Sequence, residues 1–241
     1  MITHELGRYL ATLSFEISRQ IGVLITREGG ISHVIVGDAH SVFIPSLDTY
    51  PLGRSPLRRL RFIHTHLKDE PLNNEDLTDL SLLRFDLIAA LSIKDGLPYK
   101  MYVAHLMPYG SAQKYRHLVD SFYQFDLDFA NFAGDLESEM HRSHVFDQKD
   151  TRERAILVSA ATLPKYELEE SIEELRELAE SSDVLVLNTV VQRLKTINPK
   201  ALMGEGKLKE IIMNAMDTGA TILIFDQNLT PSQVRTIGEI T

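Results

Sequence analysis

The chain has 241 residues, 44% of them hydrophobic and 24% charged, with a formal net charge of −9. Such a length allows one large domain or two ordinary ones, and the composition excludes a mostly disordered chain. The lack of cysteine excludes disulfides, thiol catalysis and thiolate metal sites, and the acidity confines any RNA contact to a local patch.

No apolar run reaches the roughly 18 residues of a membrane helix. The first nine residues carry His4, Glu5 and Arg8 and lack a signal-peptide core. A cytoplasmic protein is expected, with no membrane span. Two basic clusters stand out, Arg54, Arg58, Arg59 and Arg61, then Lys195, Lys200, Lys207 and Lys209. By charge count alone both read as solvated surface.

In chain order, residues 4–19 predict a helix and 21–26 a strand, by its β-branched run. Gly29 and Gly30 make a turn, because paired glycines accept positive φ. Residues 31–36 return as the hairpin partner, 41–44 predict a third strand and 60–66 a fourth. Asn73 or Asn74 then caps a helix expected to run to Leu91, with Leu77, Leu80, Leu83, Leu87 and Leu91 on one face. Residues 99–105 predict another strand. The aromatic-rich stretch 111–133 is expected to be helical, with Tyr115, Phe122, Tyr123, Phe125, Phe129 and Phe132 in the core.

The polar stretch 135–153 reads as a linker or exposed helix end. It divides a mixed-sheet α/β domain, 1–134, from a second domain, 154–241. The latter alternates strands near 155–159, 184–191 and 220–225 with helices. One helix is lined by Leu168, Ile172, Leu175 and Ala179, the next by Leu208, Ile211, Ile212, Ala215 and Met216 with Gly219 as its cap. Thr230, Pro231 and Gln233 start a last helix with a capping box. This βαβαβα order predicts a short parallel sheet.

Three ordered segments of the second half resemble HflX-type GTPases. Residues 196–211, TINPKALMGEGKLKEI, are similar to the family's P-x-x-x-x-G-x-G-K-x-x-E segment. Residues 223–235, LIFDQNLTPSQVR, are similar to its VIFDxELSPxQxRNLE segment, and 169–179, EESIEELRELA, match in place and style. The resemblance covers about residues 154–241. It implies an N-terminal domain that docks on the large ribosomal subunit and its rRNA, beside a C-terminal GTPase domain that handles GTP and magnesium. It also makes Gly204, Gly206, Lys207 and Lys209 candidates for RNA or phosphate contact. The physics agrees: glycines let backbone amides approach phosphate at a helix N-terminus. The alternative is a tight loop and nothing more.

Residues 204–207 are not a Walker A loop, which needs G-x-x-x-x-G-K-[ST]. Ala201 stands where the first glycine belongs and Leu208 where the magnesium-holding hydroxyl belongs. GTP hydrolysis is not expected of these residues. The chain stops about three turns into the last helix, so truncation ahead of a GTPase domain is expected.

In the first half, His64 and His66 alternate on one predicted strand and so share a face, and Asp76 follows in the first turn of a helix. Two imidazoles and a carboxylate can hold zinc. The H-x-H pattern with a following acid resembles the H-x-H…S-x-x-D signature of JAB/MPN metalloproteases. That resemblance implies an amide or isopeptide hydrolase, with His64, His66 and Asp76 as zinc ligands and Glu16 as general base. Asn73 stands where the family has serine, and its amide could support an oxyanion. Leu67 stands where proline is common, and the spacing to Asp76 is one residue short. The competing readings are a strand histidine pair beside an ordinary helix cap, a JAB-like fold without metal, and a metal-binding but inactive site.

Overall fold

A computed structural model describes residues 1–51, 55–108, 110–146 and 152–240. The chain divides into two compact units, Met1–Val145 and Phe146–Thr241. Both are α/β, one on a mixed sheet and the other on a parallel one.

The first unit opens with α1 (His4–Ile17). Thr3 caps it by accepting the Leu6 amide, and Ser18 ends it in the left-handed region. β1 (Ile21–Thr26) and β2 (Ile31–Val36) form the expected hairpin, with Gly29 at φ +92° in the turn. β3 (Leu60–His66), β4 (Leu87–Lys94), β5 (Leu97–Leu106) and β6 (Tyr115–Ser121) complete a six-stranded sheet in the order β2-β1-β3-β4-β5-β6. In this sheet β3 and β4 pair in parallel, and the other described neighbours pair antiparallel. β3 and β4 are joined by the crossover helix α2 (Asn74–Leu83).

Each face of this sheet has its own core. Ile63, Ala89, Leu91, Met101 and Val103 pack with Leu10 and Ala11 of α1. Leu24, Phe62, Ile88 and Ala104 pack with Leu80 of α2. α3 (Phe129–Phe146) serves both, through Phe129 and Ala133 on one side and Leu136 and Met140 on the other.

Several expectations are corrected here. Residues 41–44 form no strand. The Asp38 carboxylate takes the amides of His40 and Ser41, so the segment turns, and Val42 and Ile44 reach the core as side chains only. The helix expected to reach Leu91 stops at Leu83. Arg84 takes φ 54° and ends it, and Leu87 and Leu91 belong to β4. Their four-residue spacing mimics a helix, but Ile88, Ala89 and Ala90 between them are equally buried, as in a central strand. The stretch 111–133 is likewise not one helix: β6 occupies its middle, and α3 begins only at Phe129. Phe122 and Phe129 are buried as expected, but Tyr123 is largely exposed.

Residues 135–146, expected as linker, continue α3, with Leu136 and Met140 in the core. Residues 147–151 of that stretch, like Arg54 of the first basic cluster, lie outside the described residues. Its neighbours Arg58 and Arg61 are structural. Arg58 donates to the carbonyls of Leu83 and Tyr50, and Arg61 stacks over Phe129 at 4.1 Å.

The second unit follows the expected alternation. β7 (Arg154–Ala161), β8 (Leu185–Arg193) and β9 (Ile222–Phe225) are parallel in the order β8-β7-β9. α4 (Lys165–Ser181) packs Ile172 and Ala179 against Ala155 and Leu157. α5 (Glu205–Thr218) ends at Gly219, φ 70°. α6 (Pro231–Ile240) carries the predicted capping box: the Thr230 amide donates to Gln233 Oε1 and the Gln233 amide to Thr230 Oγ1. Among the described residues, no helix is long and apolar enough to cross a membrane.

Candidate functional sites

The first site lies where β3 meets α2. His64 and His66 sit two apart on β3, so both rings leave the same face of the sheet. Asp76 is the third residue of α2, and the turn of the helix brings its carboxylate back to them. The two Nε2 atoms are 2.9 Å apart. His64 Nε2 is 3.2 Å from Asp76 Oδ1, and His66 Nε2 is 3.7 Å from Asp76 Oδ2. The three ligand atoms lie within 4.8 Å of one another, and both histidines are buried.

The hydrogen bonds define the tautomers. His66 Nδ1 is 3.0 Å from the Glu70 carbonyl, which only accepts, so Nδ1 carries the proton and a neutral ring leaves Nε2 bare. His64 Nε2 must then be the donor between the rings, toward His66 and Asp76. That leaves His64 Nδ1 bare, and it is buried without a partner. Burial, then the neighbouring His64, pushes the His66 imidazole below its usual range. Burial alone would raise the Asp76 carboxyl, but the His64 contact and the Asn73 amide outweigh it and hold it low. Two lone-pair nitrogens and a carboxylate fit a small divalent cation, which would displace the shared proton. The Glu70 carbonyl would keep His66 oriented.

The capping reading is realised at the same atoms. Asn73 Oδ1 accepts the amides of Glu75 and Asp76, and Asp76 Oδ2 accepts the Asn73 amide at 2.7 Å. Asp76 thus caps α2 with one oxygen and faces His64 with the other. Glu16 is exposed on α1, outside the cluster. Sequence reasoning missed two contributors here. The Glu70 carbonyl gives no sequence signal. Phe62, which stacks on His64 at 5.1 Å, was readable as its same-face neighbour on the strand.

The second site is the loop between β8 and α5. Gly204 is the N-cap of α5 and makes no side-chain cap. A Cβ at Gly204 or Gly206 would meet nothing within 4 Å, so the space in front of the helix end is open. Lys207 pairs with Glu210 at 2.6 Å, and Lys209 is half-buried. The loop is tightly built. Asn198 and Leu202 exchange backbone hydrogen bonds, Asn198 Oδ1 accepts the amides of Lys200 and Ala201, and Gln233 Nε2 donates to the Asn198 carbonyl. Ala201, Leu202 and Met203 are buried beneath it. Asp226, at the end of β9, accepts hydroxyls from Ser159 at 2.8 Å and Ser171 at 3.0 Å.

A three-stranded parallel sheet in this order, with a glycine-bearing loop before its second helix, defines the class of small α/β domain that the second unit represents. Residues 169–241 match the family described as GTP-binding GTPase N-terminal, and the second unit is similar to the N-terminal part of HflX GTPases. The chain is 30% identical over 95 residues to GTPase HflX of Lacrimispora saccharolytica, and 33% identical over 93 residues to that of Escherichia coli; each match covers 39% of this chain. It is 33% identical over 106 residues, 44% of this chain, to GTPase HflX of Caldanaerobacter subterraneus. The chain spans about a fifth of the length of these relatives, 22% in each.

Proposed function

We propose that this chain is the regulatory, ribosome-docking front region of an HflX-type GTP-binding protein, acting in the cytoplasm beside a GTPase domain that handles GTP and magnesium. The match of residues 169–241 to GTPase N-terminal regions carries this reading. The sequence supports placing the GTP site elsewhere, since Ala201 and Leu208 spoil the one Walker-like stretch. Gly204, Gly206, Lys207 and Lys209 border the open end of α5, where backbone amides and the helix dipole favour phosphate oxygens.

The purified chain is expected to co-sediment with 50S subunits at about 50 mM salt and to lose affinity steeply by about 200 mM, as counterion release demands. Lys207→Glu is expected to weaken it further. No binding at the lower salt would end this reading, and magnesium-dependent GTP turnover by the chain alone would overturn the placement of the GTP site.

A second reading for the first unit, a zinc centre of the JAB/MPN type, rests on the sequence pattern and needs ligand atoms that can meet; those of His64, His66 and Asp76 lie within 4.8 Å of one another. Zinc there would supply a Lewis acid and an activated water for amide hydrolysis. The chain's own residues would orient the ligands, His66 through Glu70 and Asp76 through Asn73. Elemental analysis is expected to give one zinc per chain, lost in His64→Ala and kept in Glu16→Ala. Wild-type protein that takes up no zinc under saturating metal would remove this reading.

A further inference from the structure

Gln20 is 5% exposed, and among the described residues no group bonds its side-chain amide. Its backbone belongs to the β1–β2 hairpin: the amide donates to the Asp38 carbonyl at 2.7 Å, and the carbonyl accepts the Gly37 amide at 2.9 Å. The β1–β3 register pairs Gly22 with His64, and two residues further along Gln20 comes opposite His66. Residues opposite each other on antiparallel strands share a face, with about 4.5–5.5 Å between Cβ atoms. Ile21 packs with α1 on one face of the sheet, so Gln20 belongs to the other, the side of Phe62, His64 and His66. A buried amide without a partner costs free energy, and one placed beside a histidine pair calls for a ligand.

The cluster has a place for one. With bonds of about 2.1 Å, the ligand atoms of a tetrahedral cation stand about 3.4 Å apart. The separations here are 2.9, 3.2 and 3.7 Å, so His64, His66 and Asp76 supply one triangular face and the fourth vertex is left open. On the other flank of His66, Ser92 lies opposite it on β4 but is engaged, accepting the Lys100 amide at 3.1 Å. Asp69 is held by Lys100 at 2.9 Å and Tyr102 at 2.6 Å. Glu70 meets His66 at Nδ1, away from the cation-facing Nε2. Glu16 is on α1, whose Leu10 and Ala11 pack against the opposite face of the sheet. Of these neighbours, Gln20 is the one on this face with side-chain hydrogen bonds still to make.

A side-chain amide carries a donor and an acceptor, the same pair as a peptide bond, and takes up no proton at neutral pH. We infer that Gln20 is a ligand-binding residue of this centre, its Nε2 donating to the carbonyl oxygen of a peptide group held at the open vertex. The inference rests on the zinc-centre reading and deepens it: Gln20 recognises the carbonyl, and its position supplies no general base.

The test uses the full 241-residue chain loaded with cobalt(II), whose visible spectrum reports its ligands. The probe is acetohydroxamate, which carries a carbonyl oxygen and an N–H, and zinc uptake is measured alongside by elemental analysis. Gln20→Met and Gln20→Ala both remove the amide, the first keeping its length. Ser92→Ala is the control on the other flank of His66, and thermal melts confirm folding. Both Gln20 variants are expected to take up zinc like wild type and to bind acetohydroxamate about five- to tenfold more weakly, while Ser92→Ala changes neither. Unchanged affinity for the probe in the Gln20 variants, with zinc uptake intact, removes the inference and leaves the zinc centre standing. So does a loaded wild type that ignores the probe, or an equal loss in Ser92→Ala. Loss of zinc in the Gln20 variants would make Gln20 a metal ligand and overturn its role toward the carbonyl. If the wild-type chain takes up no metal, the inference and the zinc-centre reading fall together.

Discussion

Asp86→Ala is expected to lower the stability of the first unit by about 3–5 kcal/mol, the range for breaking a buried ion pair from one side. Asp86 is fully buried and clasps Arg27 with both oxygens, at 2.7 and 2.8 Å. A third arm of Arg27 reaches Glu137 of α3, which also accepts the Ser55 hydroxyl at 2.6 Å. The network thus ties the β1–β2 turn, the entry to β4 and α3 together. Burial pushes the Asp86 carboxyl up, against the pull of Arg27. Much of the value of each charge is therefore that the other is present. Arg27→Met/Asp86→Leu should cost less than the single change, because no fully buried charge is orphaned and only the partly exposed Glu137 loses its cation. Urea titration of the first unit's transition checks both, read as a midpoint shift at constant slope. A single-variant loss under about 1 kcal/mol would show the pair to be idle.

Phe62→Ala is the second large effect, again about 3–5 kcal/mol. The ring is 2% exposed, fills the space over Gly22, where a Cβ would lie 2.6 Å from it, and stacks on His64. Its loss opens a cavity next to the histidine pair. Two readouts should move together: the melting temperature of the first unit, by about ten degrees or more, and the zinc uptake proposed for the His64, His66 and Asp76 cluster. Phe62→Leu keeps most of the volume and should restore stability before it restores zinc. Equal recovery of both would mean that stacking does nothing for His64.

The second unit was almost fully legible in the sequence. Its strands are short apolar runs, its helices keep a clear three-to-four spacing, and Gly219 and Thr230 mark boundaries by backbone chemistry that needs no tertiary partner. The first unit was less so. Leu87 and Leu91 fit a helix and a strand equally well, and the choice was made by Arg84 turning left-handed and by Arg27, distant in sequence, waiting for Asp86. β6 was hidden because an edge strand with one wet face shows little apolar pattern, and its pairing with β5 is a long-range fact. The meeting of His64, His66 and Asp76 was foreseeable from alternation on a strand and one turn of helix. The Glu70 carbonyl that selects the His66 tautomer was not, since every residue carries a carbonyl. The exposed cations of the second unit were visible as letters. That Lys207 is paired while Arg193 is not depends on which acids fold near them.

The strand orders β2-β1-β3-β4-β5-β6 and β8-β7-β9 share one property. Each strand, as it follows in the chain, joins an outer margin of those already laid down, and none is inserted between two earlier neighbours. A polypeptide emerging from its amino end can therefore build both sheets by addition, each finished part serving as template for the next. Such a chain never has to unzip a pairing to admit a latecomer, which shortens the interval in which sticky strand margins stand open during synthesis.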